Sequence, residues 1–196
     1  MKVAIIRYNG GNTCSIMHSL DRLGVQYELT DNAEDISSAD KVIFPGVGEA
    51  STTMSYLRSH GLDKVICGLK QPTLGICLGQ QLMCRSSEEG DTGCLGIFDV
   101  PVLRFQPESL SDKVPHMGWN GLSGCSGHLF DNIRDGEFVY FVHSFYVPVC
   151  EWTAARTEYI IPFSSSLHRD NFYATQFHPE KSGKTGAAIL SNFLNL

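Results

Sequence analysis

Apolar positions in the first half of the chain switch between two periods. Residues 2–8, KVAIIRY, form a short apolar run ending at NGGN, whereas in TCSIMHSLDRLG (13–24) the apolar residues recur at helical spacing and stop at a glycine. VQYELT (25–30) then alternates as a strand does, which completes a strand, helix, strand unit. KVIFPG (41–46) predicts a third strand, followed by helical stretches over 49–60 and 62–69. TLGIC (73–77) predicts a fourth strand and LGQQLMCRSS (78–87) a helix. Alternation of this kind predicts an α/β fold, a doubly wound and mostly parallel sheet with helices on both faces.

From about Ile97 the texture changes. VPVLRF, EFVYFVHSFYV, WTAART and NFYATQF are β-branched and aromatic with Pro and Gly between them, and predict strands that extend the sheet or form a small antiparallel layer. TGAAILSNFLNL (185–196) predicts a last helix. With no repeat, low-complexity tract or linker, residues 1–196 are expected to form one domain.

Composition narrows the class. A formal charge of -6 and a pI near 5.6, with 15 Lys and Arg scattered along the chain, leave no basic footprint, so nucleic acid is not an expected partner. The apolar runs are too short to cross a bilayer and the N-terminal segment lacks a small-residue cleavage site, which predicts a cytoplasmic protein. Seven cysteines without a C-x-x-C pair or zinc spacing predict free thiols and no metal.

One cysteine stands apart. Gly75-Ile76-Cys77-Leu78-Gly79 has the form G-x-C-x-G, a thiol version of the strand-to-helix nucleophile elbow. The turn lifts the sulfur above the carboxyl edge of the sheet, and the N–H of Leu78 points into the same space as half of an oxyanion hole. A thiol needs a base, and FHPE offers His178 at the end of an apolar strand. Glu180, two residues on, faces the same side if the segment is extended, so its carboxylate can orient the imidazole. Cys77, His178 and Glu180 then make a nucleophile, a base and an orienting group, a set that needs no cofactor. FPGVGEA (44–50) ends the third strand in a P-G-x-G turn whose amides, that of Val47 first, offer the second oxyanion donor. Taken singly, each segment also fits an ordinary core cysteine, a strand-end histidine, a loop charge and a glycine turn.

Together PGVG, GICLGQQ and FHPE resemble the class I (triad) glutamine amidotransferases, and the match spans nearly the whole chain. Four more segments narrow it: NGGNTCS (9–15), SEEG (87–90), PHMGWN (115–120) and YFVHSFYV (140–147). PHMGWN, with GN near the start, is most similar to the branch of glutaminase subunits that serve imidazole glycerol phosphate synthases. The resemblance implies hydrolysis of L-glutamine to glutamate and ammonia through a Cys77 thioester. It implies that Gly48, Gln81, Glu89 and the backbone of His143, Ser144 and Phe145 hold the amino-acid head group. It also implies a separate (β/α)₈-barrel cyclase subunit in a heterodimer, met by Asn12, Trp119, Asn120 and Lys181, because ammonia released into water is protonated and lost as a nucleophile. Arg7 replaces an acidic residue common among relatives and Phe145 a common tyrosine. Other free-standing glutaminases, such as one serving pyridoxal phosphate synthesis, would lack PHMGWN. A non-catalytic scaffold would lack part of the triad, and a cysteine protease or amidase would share the elbow but not PGVG and HPE.

Overall fold

A computed structural model describes residues 1–8, 13–107, 109 and 112–196. The first half runs β1 (Lys2–Ile6), α1 (Cys14–Arg22), β2 (Gln26–Thr30), α2 (Ala33–Ser38), β3 (Lys41–Phe44), α3 (Ala50–Ser59), α4 (Leu62–Gly68), β4 (Thr73–Ile76) and α5 (Leu78–Met83). Seven strands follow in close succession: β5 (Cys84–Ser87), β6 (Thr92–Gly93), β7 (Phe98–Arg104), β8 (His116–Gly121), β9 (Phe138–His143), β10 (Phe145–Tyr146) and β11 (Thr153–Tyr159). The chain then closes with β12 (Ile161–Arg169), β13 (Phe172–Thr175) and α6 (Gly183–Leu194).

The main sheet has the order β11-β12-β13-β4-β3-β1-β2. Its five strands from β13 to β2 are parallel, and β12 and β11 extend it antiparallel. β5, β6, β7 and β10 make a second, smaller sheet, and β8 with β9 an antiparallel ribbon. The aromatic second half thus does both things predicted of it.

Strand alternation divides the core in two. Val3 and Ile5 point to the face covered by α1 and α6 through Ile16, Leu20, Ile189 and Phe193. Ala4 and Ile6 point to the opposite face, where α2, α3, α4 and α5 contribute Ile36, Leu57, Ile66 and Leu82. Each fully buried Leu or Ile contributes about 1.5–3 kcal/mol of apolar burial, so both faces of the sheet are strongly driven to be covered. Among the described residues no helix is long and apolar enough to cross a membrane.

Two expectations are corrected, and one helix was not foreseen. The helix predicted over 78–87 ends at Met83, and Cys84–Ser87 is a strand because it pairs with β7 and β6, partners remote in sequence. α2 was not predicted, although Asn32 accepts from the N–H groups of Glu34 and Asp35, an N-cap with acidic residues in the first turn. The segment after His178 is not extended: Pro179–Lys181 is a single 3₁₀ turn.

Parallel order is what builds the site. β13, β4 and β3 are adjacent, so the residues just past their carboxyl ends, His178, Cys77 and the Pro45-Gly46-Val47 loop, meet at one edge of the sheet. The approach is very close at Gly79, where a Cβ would fall 2.1 Å from the Phe44 carbonyl oxygen. Gly79→Ala is therefore expected to destabilise the fold by about 3 kcal/mol or more, a fall of roughly 6–12 °C in melting temperature. A calorimetric scan checks this; an unchanged Tm would mean that β3 and α5 can separate at no cost.

Candidate active site

Cys77 stands on the elbow with φ 53° and ψ −106°, a conformation that side chains rarely adopt. It persists because the neighbours fix it from both sides: Cys77 N–H donates to the Thr175 carbonyl at 2.7 Å, and α5 is clamped against β3 at Gly79. The sulfur is buried at the base of a cavity of about 330 Å³. Gln176 Nε2 approaches it at 3.7 Å, and Gln176 Oε1 in turn accepts from Gln81 Nε2 at 2.9 Å. Gln176 was not singled out from the sequence; its signal is its place two residues before His178, leading out of the same strand.

His178 lines the same cavity, and its Nδ1 pairs with Glu180 Oε1 at 2.8 Å, both side chains being 3% exposed. The predicted pair forms, but the 3₁₀ turn brings the carboxylate round, not strand alternation. Among the described residues the other imidazole nitrogen, Nε2, makes no hydrogen bond, nor does Glu180 Oε2. Burial alone would drive the His178 pKa down. The charge of Cys77 on one side and of Glu180 on the other outweigh it and push it up to about 10. An imidazolium held between Cys77 and the Glu180 carboxylate follows. Ring-nitrogen NMR is expected to find His178 charged at pH 8 in the wild type, and its titration moved to lower pH in Cys77→Ala, which removes a raising charge. A neutral ring at pH 7 in the wild type would contradict the ion pair.

Gly48, Gln81, Glu89, His143, Ser144 and Phe145 all line this cavity, together with Val47, Leu78, Cys77 and His178. Glu89 Oε2 accepts the Ala50 N–H at 2.8 Å at the start of α3. Partial burial raises its pKa, the Ala50 N–H lowers it and nearby Glu49 raises it. The Phe145 carbonyl accepts from Gln81 Nε2 at 3.1 Å and His143 Nδ1 at 2.7 Å. These contacts use the backbone, so phenylalanine serves in them as well as tyrosine. Arg7 pairs with Asp31 at 2.7 Å on the surface.

A pair of hydrogen-bonded histidines runs back from the cavity wall. His143 Nδ1 must carry the proton, since its partner is a carbonyl, so its Nε2 accepts from His116 Nδ1 at 3.0 Å. Burial lowers both pKa values, that of His116 to about 4 and that of His143 to about 3, with the charges of His116 and His178 adding to the fall for His143. Both rings stay neutral at physiological pH with their tautomers fixed. His116 was not foreseen; its only signal was a histidine that falls opposite His143 once β8 pairs with β9.

Of the predicted docking residues, Asn12 lies outside the described residues. Trp119 is 54% exposed on the same face of β8 as Met117 at 64%, and Phe138 on β9 adds 58%. Lys181 is exposed in the 3₁₀ turn. Asn120 is different: its Nδ2 donates to the Glu158 carbonyl at 2.9 Å and reaches His116 Nε2 at 3.4 Å, so its side chain is tied inward.

The two expected oxyanion donors, Leu78 and Val47, are not both turned to the cavity. Leu78 N–H is taken by the Gly46 carbonyl at 3.4 Å. A trans peptide holds its C=O and N–H on opposite edges, so Val47 N–H points away from Leu78. Another cysteine provides a control. Cys84 is fully buried, its thiol pKa raised well above the usual value by burial and then by Cys94 and Cys150, and it donates only to the Gln80 carbonyl. Cys84→Ala is expected to leave turnover within about twofold and cost about 1 kcal/mol of stability, read from parallel assay and melting curves. A large loss of turnover would instead tie the Cys84 thiol to the chemistry.

The same geometry has relatives. Residues 4–196 match the family model for glutamine amidotransferase class-I. The chain belongs to this family. It is 62% identical over 196 residues, the full length of both chains, to the imidazole glycerol phosphate synthase subunit HisH of Bacteroides thetaiotaomicron. It is 43% identical over 198 residues, again the full length of both, to the protein of that name from Pectobacterium atrosepticum. In fold it is similar to a glutamine amidotransferase known from a crystal structure, with a TM-score of 0.75 at 17% identity over 98% of this chain and 97% of the other. The structure of PurLQS from Thermotoga maritima gives 0.73 at 16% identity over 99% and 97%. At such identities the structural likeness speaks for the class I amidotransferase fold alone, with the doubly wound sheet predicted from the sequence.

Proposed function

We propose that this chain is a single-domain glutaminase subunit of an imidazole glycerol phosphate synthase, which hydrolyses L-glutamine and passes the ammonia to a (β/α)₈ cyclase in a cytoplasmic heterodimer. The observation that carries the chemistry is Cys77 in the lining of a cavity that His178 also lines, with buried Glu180 paired to His178. Full-length identity of 62% with a HisH protein supports the choice of synthase.

Cys77 Sγ attacks the side-chain amide carbon of glutamine, and the carbonyl electrons move to oxygen. As the tetrahedral intermediate collapses, the C–N bond breaks and His178 gives its proton to the departing ammonia. His178, now neutral, takes a proton from water, whose oxygen attacks the thioester; glutamate leaves and the thiolate and imidazolium return. Glu180 holds the ring and balances its charge throughout. Gly48, Gln81, Glu89 and the 143–145 backbone hold the head group at the cavity mouth.

The partner reading rests on chemistry and surface. Ammonia is a nucleophile only while unprotonated, so it must leave through an enclosed path. Met117, Trp119 and Phe138 give the β8–β9 ribbon an exposed apolar face near Lys181, suited to a partner that covers the cavity. The test is co-purification with a cyclase and a glutaminase assay of the complex. Stable association and glutamine-dependent cyclase turnover are expected. A chain that pairs with a different synthase, or that hydrolyses glutamine without any partner binding, would overturn this assignment.

A further inference from the structure

The segment 143–145 that lines the cavity is held from outside it. The Phe145 carbonyl accepts from His143 Nδ1 at 2.7 Å and from Gln81 Nε2 at 3.1 Å, so both its lone pairs are engaged and its peptide is fixed. A neutral imidazole has one N–H proton. Because His143 gives that proton to a carbonyl, its Nε2 is bare and buried, and the donor it needs is His116 Nδ1 at 3.0 Å. His116 does not line the cavity. It sits on the inner face of β8, with its ring centroid 3.9 Å from that of Tyr159 and 4.8 Å from that of Phe141, stacked on both. Its own bare nitrogen, Nε2, faces Asn120 Nδ2 at 3.4 Å. The Asn120 amide is oriented in turn by the Gly121 N–H that it accepts and the Glu158 carbonyl to which it donates. From Asn120 to Phe145 every proton points the same way.

We propose that His116 is a positioning residue for glutamine binding: its Nδ1–H fixes the tautomer of His143, and His143 in turn holds the Phe145 carbonyl and with it the head-group segment 143–145. The inference rests on the glutaminase reading above. Its physical basis is the cost of the alternatives. With the proton on Nε2, the bare Nδ1 of His143 would face the Phe145 carbonyl, two lone pairs in contact where a hydrogen bond had been. With the ring turned over, C–H groups would face both the carbonyl and His116, and two buried partners would go without. Either change takes from the carbonyl one of its two donors. Without a donor at 116, Nε2 of His143 is a buried acceptor with no partner, and the form that holds Phe145 loses its advantage over the others. One hydrogen bond of ordinary net worth alters such an equilibrium by about 2- to 10-fold.

Two substitutions separate the N–H from the ring. His116→Asn keeps an N–H near the place of Nδ1 and loses the stacking, whereas His116→Phe keeps the stacking and has no donor. In the complex with cyclase and its acceptor nucleotide, His116→Phe is expected to raise KM for glutamine about 3- to 10-fold with kcat within about twofold, the signature of binding lost alike from ground and transition states. His116→Asn should stay within about twofold of wild type in both constants. A KM that follows the ring, high in His116→Asn and normal in His116→Phe, would overturn the role, and so would an equal fall of kcat in both, which marks a merely structural residue. The second readout needs no turnover. Ring-nitrogen NMR of the full chain should find His143 protonated at Nδ1 in wild type and in His116→Asn, and a share of the Nε2–H form in His116→Phe. An Nε2–H form in wild type, or an unchanged His143 ring in His116→Phe, overturns the proposal. If wild type hydrolyses no glutamine even with the cyclase, the functional reading fails, and the His143 spectrum still decides whether His116 sets the tautomer.

Discussion

Cys77→Ala is expected to lower partner-stimulated glutamine hydrolysis by about 10⁴-fold or more, the scale of loss when a covalent nucleophile is removed. Fold and association should survive. Alanine carries the same Cβ as cysteine, so the strained backbone at φ 53° is no worse than before, and the lost sulfur makes only long contacts, 3.7 Å to Gln176 Nε2 and 3.8 Å to the Val142 carbonyl. Steady-state assay of the complex, with co-elution as the check on assembly, measures both. Turnover retained by the assembled variant would place the nucleophile elsewhere.

Glu180→Gln should have the next largest effect. Its amide oxygen can still accept from His178 Nδ1, so the tautomer is kept and only the charge is lost. The imidazolium then loses one of the two charges that hold its pKa near 10 against burial. In serine triads the corresponding change costs about 10⁴-fold. A thiol ionises more readily than a hydroxyl, so the loss here should be smaller, on the order of 10²-fold. It should appear in kcat more than in KM, because Glu180 stands behind His178 and meets no part of the head group. An unchanged kcat would reduce Glu180 to a buried structural charge.

Much of this site was legible because it sits where short-range rules apply. Apolar runs at 2–8, 41–46 and 73–77 identify the parallel strands, and in a doubly wound sheet the residues after such strands share one edge. That is how Cys77, His178 and PGVG could be brought together from the chain alone. What escaped depends on pairing across long stretches of chain. Residues 84–87 continue a helical pattern and become a strand only because β7 lies beside them. β12 carries Ser164, Ser165 and Ser166, a run that looks like a loop, yet all three are buried between strands, with Ser164 and Ser166 donating to the Pro148 and Ala174 carbonyls. Residues 116–120 of the PHMGWN segment and Gly121 after it form β8 by pairing with β9, which turns His116 inward and Trp119 outward.

The residues missed at the site share a cause. His116 and Gln176 act through contacts with other protein groups, and no local spacing marks such contacts. Their partners lie 27 and 99 positions away, at His143 Nε2 and Cys77 Sγ. Glu180 was found by a rule that does not hold there. The carboxylate reaches His178 because proline starts a tight turn, and two residues of 3₁₀ turn bring it back to the ring.

Covalent trapping tests the central claim, a glutamine-specific thiol nucleophile at Cys77, most directly. The intact chain, with cyclase present, would be treated with a chloroketone analogue of glutamine and the adduct located by peptide mass spectrometry, with and without excess glutamine. One adduct on Cys77, suppressed by glutamine, is the predicted result. Labelling of an exposed thiol such as Cys14 or Cys67 with Cys77 untouched, or modification of Cys77 that glutamine does not slow, would contradict it.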